Sequence, residues 1–332
     1  MKSPVKYSAP WWMPDGHSQT ILPAKAANKP MVHFHRTRWD TPDGDFIDLD
    51  FTAPAESRHN FSEMWVLFHG LEGSSDSHYA RSVMKRATEA GALGVVPHFR
   101  GCSGENNRMP RAYHSGDSAE IHWVLHRLRN QYPHVSELHV VGVSLGGNAL
   151  LKWLGEQGSD AAQVATTAVS VSAPVDLLAG ANSLAKGFNL VYTRMFLSTL
   201  IPKSLEKIQS YPDLGTYDEI ASCKDFFDFD NRVTARWHGF KDAADYYAKS
   251  SAKQFLPEIQ VPTLMIHALN DPFMTGQYLP KADEVSPHVY RLFPPHGGHV
   301  GFANAKGFRL GLNWLPDTCQ GFFQNPEGIQ HG

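Results

Sequence analysis

Residues 138–155 read LHVVGVSLGGNALLKWLG, a β-rich run joined to a helical run through Ser144 and the glycines around it. Glycine weakens a strand or a helix interior by roughly 0.5–1 kcal/mol relative to alanine, so glycines gathered at a junction indicate a backbone that needs them. In a Gly-X-Ser-X-Gly turn between a strand and a helix, the glycines remove side chains that would collide at the sharp, strained serine. Gly142 and Gly146 fit this need. We therefore predict that the Ser144 hydroxyl is lifted clear of a sheet.

Strand and helix patterns alternate on either side of this turn. Helical segments near residues 77–90, 117–131 and 145–157 separate the first four of the β-rich runs, which are MWVLFH, ALGVVPHF, LHVVGVS, TTAVSVSA, TLMIHAL and VYRLF. A hairpin pattern around the Pro-Asp-Gly turn at 42–44 precedes them, within residues 31–51. This alternation predicts an α/β fold with a mostly parallel sheet and helices on both faces.

The alternation stops between Pro174 and Pro262, where about 85 residues hold apolar helical stretches but no convincing strand pattern. An insertion between two sheet strands is the economical explanation. We predict three parts: an N-terminal segment packed on the core (1–30), an α/β core (31–173 and 258–324) and a helical lid insertion (174–257). Trp11 and Trp12 are the expected apolar anchors of the N-terminal segment.

Charge and cysteine content exclude several classes of protein. The net charge is −3 and the basic residues are scattered, which disfavours a nucleic-acid partner. Three widely spaced cysteines form neither a disulfide framework nor a CxxC pair. We expect a cytoplasmic protein, because the sequence shows no signal peptide and no apolar run long enough for an integral membrane segment. We expect no metal and no cofactor, and the oligomeric state stays open.

A serine nucleophile needs a base and an acid that orients the base. The base should follow the last strand, where PPHGGHVGF offers His296 and His299; we favour His299, because the two glycines before it free the backbone. The acid should follow an earlier strand, which favours Asp271 in ALNDPF and leaves Asp176 in SAPVD as the alternative. The order Ser, Asp, His is the order found in α/β hydrolases.

An oxyanion formed at Ser144 also needs hydrogen-bond donors. The N–H of Leu145 follows the nucleophile directly, and a second donor usually comes from the loop after an earlier strand. FHGLEGSS (68–75) is that loop, and Leu71 is our candidate in it. The alternative is that the glycines of this loop only make a turn.

A further loop, FRGCSGENNR, follows the run ALGVVPHF at the sheet edge where ligands collect. Arg100, Cys102 and Ser103 are candidate pocket residues. Arg100 either contacts substrate or pairs within the fold, and Cys102 lacks a histidine placed to make it a second nucleophile. The nearby sequence GDSAEIHWVL predicts a capping box in which Asp117 and Glu120 open a helix.

Taken together, these motifs resemble the YheT-like branch of the α/β-hydrolase fold, which includes bacterial hydrolases and eukaryotic monoacylglycerol, phospholipid and ethyl-ester enzymes. The resemblance spans nearly the whole chain and is carried by WWMPDGHSQTI, HGLEGSS, FRGCSGENNRMPRAYHSGD, GVSLGGNALLKWLGE, HGFKDAADYYAKSS, VPTLMIHALNDPF and HGGHVGF. It implies Ser144 as nucleophile, Asp271 and His299 as charge-relay partners, and a helical insertion over the site. It does not explain what the WWMPDGHSQT segment does.

The stretch NLVYTRMFLSTLI in the predicted insertion is more apolar than one solvated helix requires. Either it packs on the core, or it roofs an acyl channel with Phe196 and Leu200 as substrate-binding residues, or it contacts a membrane. We expect a serine carboxylic-ester hydrolase that forms an acyl-enzyme with short-to-medium acyl esters. Its partner would be a small-molecule ester or lipid-like substrate. An alcohol acyltransferase and a non-catalytic binding protein are the alternatives.

Overall fold

The computed structural model describes residues 6–328 of the 332-residue chain. The first five residues of the predicted N-terminal segment, and the last four of the chain, lie outside the described residues.

The described residues form an eight-stranded sheet with the strand order β1-β2-β4-β3-β5-β6-β7-β8. β1 and β2 form the predicted antiparallel hairpin, β2 pairs antiparallel with β4, and all other neighbours in this sheet are parallel. The mostly parallel sheet is thereby confirmed. The strands are β1 His35–Asp40, β2 Phe46–Phe51, β3 Glu63–Phe68, β4 Leu93–Pro97, β5 Glu137–Val143, β6 Thr167–Val171, β7 Thr263–Ile266 and β8 Val289–Leu292, with a separate small hairpin of β9 Asn304–Lys306 and β10 Arg309–Gly311.

Helices cover both faces of the sheet. Successive residues of a strand point to opposite faces, so Val140 joins one apolar core with the helices at 118–131 and 145–157, while Val141 joins the other with the helices at 78–89 and 314–324. The α-helices are α1 Gly16–Ala26, α2 His78–Glu89, α3 Ser118–Gln131, α4 Leu145–Gln157, α5 Leu177–Leu184, α6 Leu190–Ser210, α7 Tyr217–Ala221, α8 Phe226–Phe229, α9 Ala235–Trp237, α10 Ala243–Ser250 and α11 Trp314–Gln324. A π-helical turn at Asp230–Thr234 joins α8 to α9. Short 3-10 turns lie at Ala55–Asn60, Gly158–Gln163, Gly187–Asn189, Pro212–Leu214, Ala252–Glu258, Gly276–Tyr278, Ala282–Glu284 and Pro326–Gly328.

Along the chain, helices α5 to α10 all fall between β6 and β7, two strands that are neighbours in the sheet. They carry apolar clusters of their own; one of these joins Leu197 on α6 to Ile220 and Phe229. Part of the apolar surface of α6 therefore packs within the insertion rather than on the sheet. Among residues 6–328, no helix combines the length and the apolar character that crossing a membrane requires. The insertion boundaries 174–257 stay a prediction.

The N-terminal segment contacts the body of the protein through Trp12, one of its two expected anchors, and through Met13, but not through Trp11. Trp11 is 84% exposed, so its assignment as an anchor is wrong, whereas Met13 is 1% exposed and packs with Ala303 and Leu312. Trp12 is partly buried, and its indole N–H donates to the carbonyl oxygen of Gly307 at 3.2 Å. α1 then begins after Asp15, whose carboxylate accepts from the N–H of Ser18.

Candidate active site

The turn between β5 and α4 has the strained geometry that its glycines predict. Ser144 adopts φ 53° and ψ −117°, a conformation that is unfavourable for any residue with a Cβ. A Cβ on Gly142 would lie 2.6 Å from the carbonyl oxygen of Gly146, and one on Gly146 would lie 2.5 Å from that of Phe68. The glycines are therefore required because the start of α4 packs directly on strand backbone.

Three side chains from three separate loops meet at this turn. The Ser144 hydroxyl lies 2.9 Å from Nε2 of His299, in the loop after β8. Nδ1 of the same imidazole lies 2.8 Å from Oδ2 of Asp271, in the loop after β7. With the proton on Nδ1, the serine donates to the imidazole and the imidazole donates to the carboxylate. The structure thus brings together the serine, histidine and aspartate that the sequence analysis favoured.

Asp271 is completely buried, and its surroundings favour the charged form. Burial by itself raises the pKa of Asp271, but the charge and hydrogen bond of His299, the nearby His267 and the N–H of Phe273 outweigh it and hold the pKa below its ordinary value. The Phe273 N–H donates to Oδ1 at 2.8 Å. A carboxylate that stays ionised in the interior can fix one tautomer of the imidazole.

The alternative residues lie in other settings. His296 is exposed and faces the side chain of Asn270, with Nδ1 and Nδ2 3.5 Å apart. The carboxylate of Asp176 accepts from the N–H of Ala179 and caps α5. Cys102 is buried, and burial raises the pKa of its thiol to about 12. Among the described residues, none of these three side chains hydrogen-bonds to Ser144 or His299.

Two backbone N–H groups near Ser144 are available as hydrogen-bond donors. Leu71 and Leu145 both border the space around the hydroxyl, and within the described residues neither N–H has a hydrogen-bond partner. The loop that carries Leu71 is held on both sides: the Gly70 N–H donates to the Tyr79 hydroxyl, and the Glu72 N–H donates to the Tyr113 hydroxyl, each at 2.9 Å. The amides are thus rigid donors that other protein groups do not use.

A cavity of about 160 Å³ begins at Ser144 and extends under the insertion. Both Phe196 and Leu200 of α6 line it, together with apolar residues of the other insertion helices, among them Leu177, Phe226, Phe229 and Val233. A second cavity, of about 170 Å³, reaches Ser144 and His299 from the side of α1. Ser144 and His299 therefore line both cavities.

Phe273 is a site residue that the sequence analysis missed. Its ring stacks on the His299 imidazole, with ring centroids 4.0 Å apart, and is nearly perpendicular to the ring of Phe196, with centroids 6.2 Å apart. It links the insertion to the imidazole. The only signal for it in the sequence is its place directly after Asp271 and Pro272.

Arg100 borders the cavity, but its guanidinium is engaged elsewhere. The nitrogens of this side chain, which is 5% exposed, pair with Asp43 at 2.8 Å, Asp45 at 2.9 Å and Glu120 at 2.6 Å. Burial lowers the pKa of Arg100, yet the carboxylates of Glu120 and Asp43 outweigh burial and raise this pKa above its ordinary value. This is the structural alternative considered above, and the substrate contact of Arg100 stays a prediction. Cys102 and Ser103 lie outside the described cavity wall.

The predicted capping box at the start of α3 is wrong. Asp117 makes no side-chain hydrogen bond to a helix N–H, because its carboxylate pairs with Arg111 at 2.5 Å. Glu120, the other member of the predicted box, pairs with Arg100 instead of capping the helix. Both carboxylates serve ion pairs formed across loops.

One group of side chains in residues 6–328 has ligand atoms close enough to share a metal ion. Glu63, Glu137 and His139 place theirs within 4.8 Å of one another. They lie at the amino ends of β3 and β5, whereas Ser144 follows the carboxyl end of β5. This group therefore takes no part in chemistry at Ser144.

The fold and the serine elbow define a class of protein, and the comparison with known families agrees. Residues 66–305 match the family model described as alpha/beta hydrolase fold, and the chain belongs to that family. It is an enzyme of the hydrolase class. Within the family it is 43% identical over 291 residues to YheT of Escherichia coli (strain K12), covering 86% of this chain and 84% of that protein.

More distant similarities extend the comparison. The chain is 29% identical over 297 residues to human Phospholipase ABHD3, covering 88% of this chain and 72% of that protein. Among solved structures, an esterase of Pyrococcus furiosus aligns with a TM-score of 0.56 at 14% identity, covering 92% of this chain and 98% of that one. At that identity the structural match supports the fold alone.

Proposed function

We propose that the protein is a serine carboxylic-ester hydrolase that works through an acyl-enzyme on esters of short-to-medium acyl chains. The observation that carries this proposal is the hydrogen-bonded series Ser144, His299 and Asp271, placed where a strained elbow opens into an apolar cavity. The related phospholipase, whose name denotes an ester substrate, supports ester chemistry for this fold.

In the proposed first step, Oγ of Ser144 attacks the ester carbonyl carbon while Nε2 of His299 takes the hydroxyl proton, over the 2.9 Å that separates them. Asp271 holds the imidazole by Nδ1 and stabilises the imidazolium that forms. The carbonyl oxygen becomes an oxyanion, for which the free N–H groups of Leu71 and Leu145 are the candidate donors.

In the following steps, the imidazolium of His299 gives its proton to the leaving alcohol, and the C–O bond breaks to leave an acyl group on Ser144. Water then attacks the acyl carbon, and the same imidazole takes its proton and returns one to the serine. The cavity lined by Phe196 and Leu200 would hold the acyl chain away from water. The reaction consumes one ester and one water and gives one acid and one alcohol.

The test is Ser144→Ala, compared with Ser136→Ala as a matched control. Ser136 is exposed and lies directly before β5, and its hydroxyl donates to the Ser62 carbonyl oxygen at 3.1 Å. We expect Ser144→Ala to lower hydrolysis of p-nitrophenyl butanoate by a factor of about 10⁴ or more and to abolish labelling by a fluorophosphonate probe. Ser136→Ala should behave as the unmodified protein.

Three results would change the proposal. Hydrolysis within about tenfold of normal in Ser144→Ala would exclude this serine as nucleophile. Formation of ethyl ester in preference to acid, when ethanol is added, would make the enzyme an acyltransferase. Failure of the unmodified protein to react with any ester or with the probe would indicate a binding protein.

A further inference from the structure

The loop that carries His299 rests on α1 as well as on the sheet. The His299 N–H donates to the Thr20 hydroxyl at 2.8 Å. Next to it, Oε1 of Gln19 accepts from the Gly297 N–H at 2.8 Å and from the Asn270 amide at 3.0 Å. Two consecutive residues of the N-terminal helix thus bind the loops after both β7 and β8.

The contact between α1 and this loop is too close for side chains on the loop. A Cβ on Gly298 would lie 2.7 Å from the Thr20 nitrogen, and a Cβ on Gly301 would overlap the Gln19 carbonyl oxygen. Gln19 is 2% exposed, and its Nε2 donates to the Met13 carbonyl oxygen at 2.7 Å. The amide of Gln19 is therefore itself fixed, with its oxygen directed at the loop.

The backbone of this loop needs such support. Val300 has φ 58° and Phe302 has φ 37°, values in the left-handed region that residues with a Cβ rarely adopt. A strained conformation persists only where its surroundings over-determine it. On the side facing the sheet, the Val300 N–H donates to the Ser172 hydroxyl at 3.1 Å. Further support comes from Gln19 and Thr20 of α1.

We propose that Gln19 and Thr20 are positioning residues, which hold the His299 imidazole at Ser144 by fixing the backbone of its loop. The inference rests on the proposed roles of Ser144 and His299. It gives a function to the segment WWMPDGHSQT: an N-terminal strap that holds the loop of His299 in place. Because a displacement of about 1 Å in a reacting group costs about 10²-fold in rate, loosening the loop should lower kcat.

The test compares variants of Thr20 that keep or remove the hydroxyl. Thr20→Val keeps the shape but leaves the His299 N–H without its acceptor, so we expect kcat to fall about 10- to 100-fold while KM stays within about threefold. Thr20→Ser keeps the acceptor and should stay within about threefold in both constants. Gln19→Leu, which removes the acceptor of the Gly297 N–H, should repeat the effect of Thr20→Val.

Ser18→Ala is the matched control on the same helix. Among the residues that the structure describes, the Ser18 hydroxyl bonds only to Asp15, so this change should lower thermal stability without changing kcat. Amide hydrogen exchange supplies a readout that does not depend on catalysis. In Thr20→Val, exchange in a peptide covering residues 296–302 should accelerate while exchange in β5 stays slow.

The outcomes separate this inference from the proposed function. Normal kcat and normal exchange in Thr20→Val would overturn the positioning role, as would a loss of kcat in Ser18→Ala equal to that in Thr20→Val. If Ser144→Ala stays active, the proposed function fails, and faster loop exchange in Thr20→Val would still show that α1 holds the loop. Slow exchange in that variant would overturn the inference in either case.

Discussion

Replacing Phe196 by alanine should lengthen the acyl chain that the enzyme prefers. The ring of Phe196 lines the cavity, and its centroid lies 6.2 Å from that of Phe273 and 6.0 Å from that of Phe226. The ring is therefore part of the cavity wall. The unmodified cavity measures about 160 Å³. A dry cavity of roughly 150 Å³ accommodates benzene, so we expect space for about six acyl carbons.

The size of the effect follows from the apolar contacts that each methylene gains. Each buried methylene contributes about 0.8 kcal/mol, so kcat/KM should rise about fourfold per carbon until the cavity is full and then fall. Phe196→Ala removes the ring from the wall. The optimum should move by about four methylenes, and the longer ester should gain about 10²-fold in kcat/KM relative to the unmodified enzyme.

The assay is a series of p-nitrophenyl esters from acetate to palmitate, with kcat/KM measured for each. Leu197→Ala is the matched control, because Leu197 is the next residue of α6 and packs in the cluster with Ile220 without lining the cavity itself. We expect that variant to lose about 2–5 kcal/mol of stability and to keep the chain-length profile. An unchanged profile in both Phe196→Ala and Leu200→Ala would refute the acyl assignment and leave α6 as packing.

Further predictions concern the imidazole, the acid and a buried carboxyl of the insertion. His299→Ala should lower kcat for p-nitrophenyl butanoate about 10⁴-fold, and His296→Ala at most about tenfold; the reverse ranking would move the base to His296. Asp271→Asn should cost about 10⁴-fold in kcat because the imidazole takes the wrong tautomer, and a loss below tenfold would remove the acid from the mechanism. Burial raises the pKa of Asp230, which accepts from the Tyr247 hydroxyl at 2.8 Å, from 3.8 to about 6. Asp230 therefore binds a proton more tightly in the folded protein than in the unfolded chain. As the pH rises from about 4 to about 6, the free energy of unfolding measured with urea should fall by up to about 3 kcal/mol through this group, and Asp230→Asn should remove that fall.

The elbow and the alternation of strands and helices along the chain could be predicted because their signals are local. Gly142, Ser144 and Gly146 occupy one turn, and each β-rich run is contiguous in the sequence. The positions of Asp271 and His299 followed from the same logic, because loops at the carboxyl ends of parallel strands meet at one edge. The structure brings these two side chains together on that edge.

Contacts between distant parts of the chain could not be predicted. Arg100 is held by Asp43, Asp45 and Glu120, and no spacing in the sequence marks carboxylates so far apart as partners of one guanidinium. The capping box failed for the same reason, since a carboxylate near a helix start is equally able to pair with an arginine from another loop. The bond between Thr20 and His299 spans 279 residues and leaves no local pattern.

The insertion departs from the sheet after β6 and returns at β7, two strands that are neighbours and parallel, with Ala168 opposite Thr263. The insertion helices that line the cavity are therefore carried on a single crossover whose two ends lie side by side. Such a connection can be replaced by a helical array of different length without changing the register of any strand. The helices over the cavity can thus change in length without altering the pairing of β6 with β7, the strands on either side of the insertion.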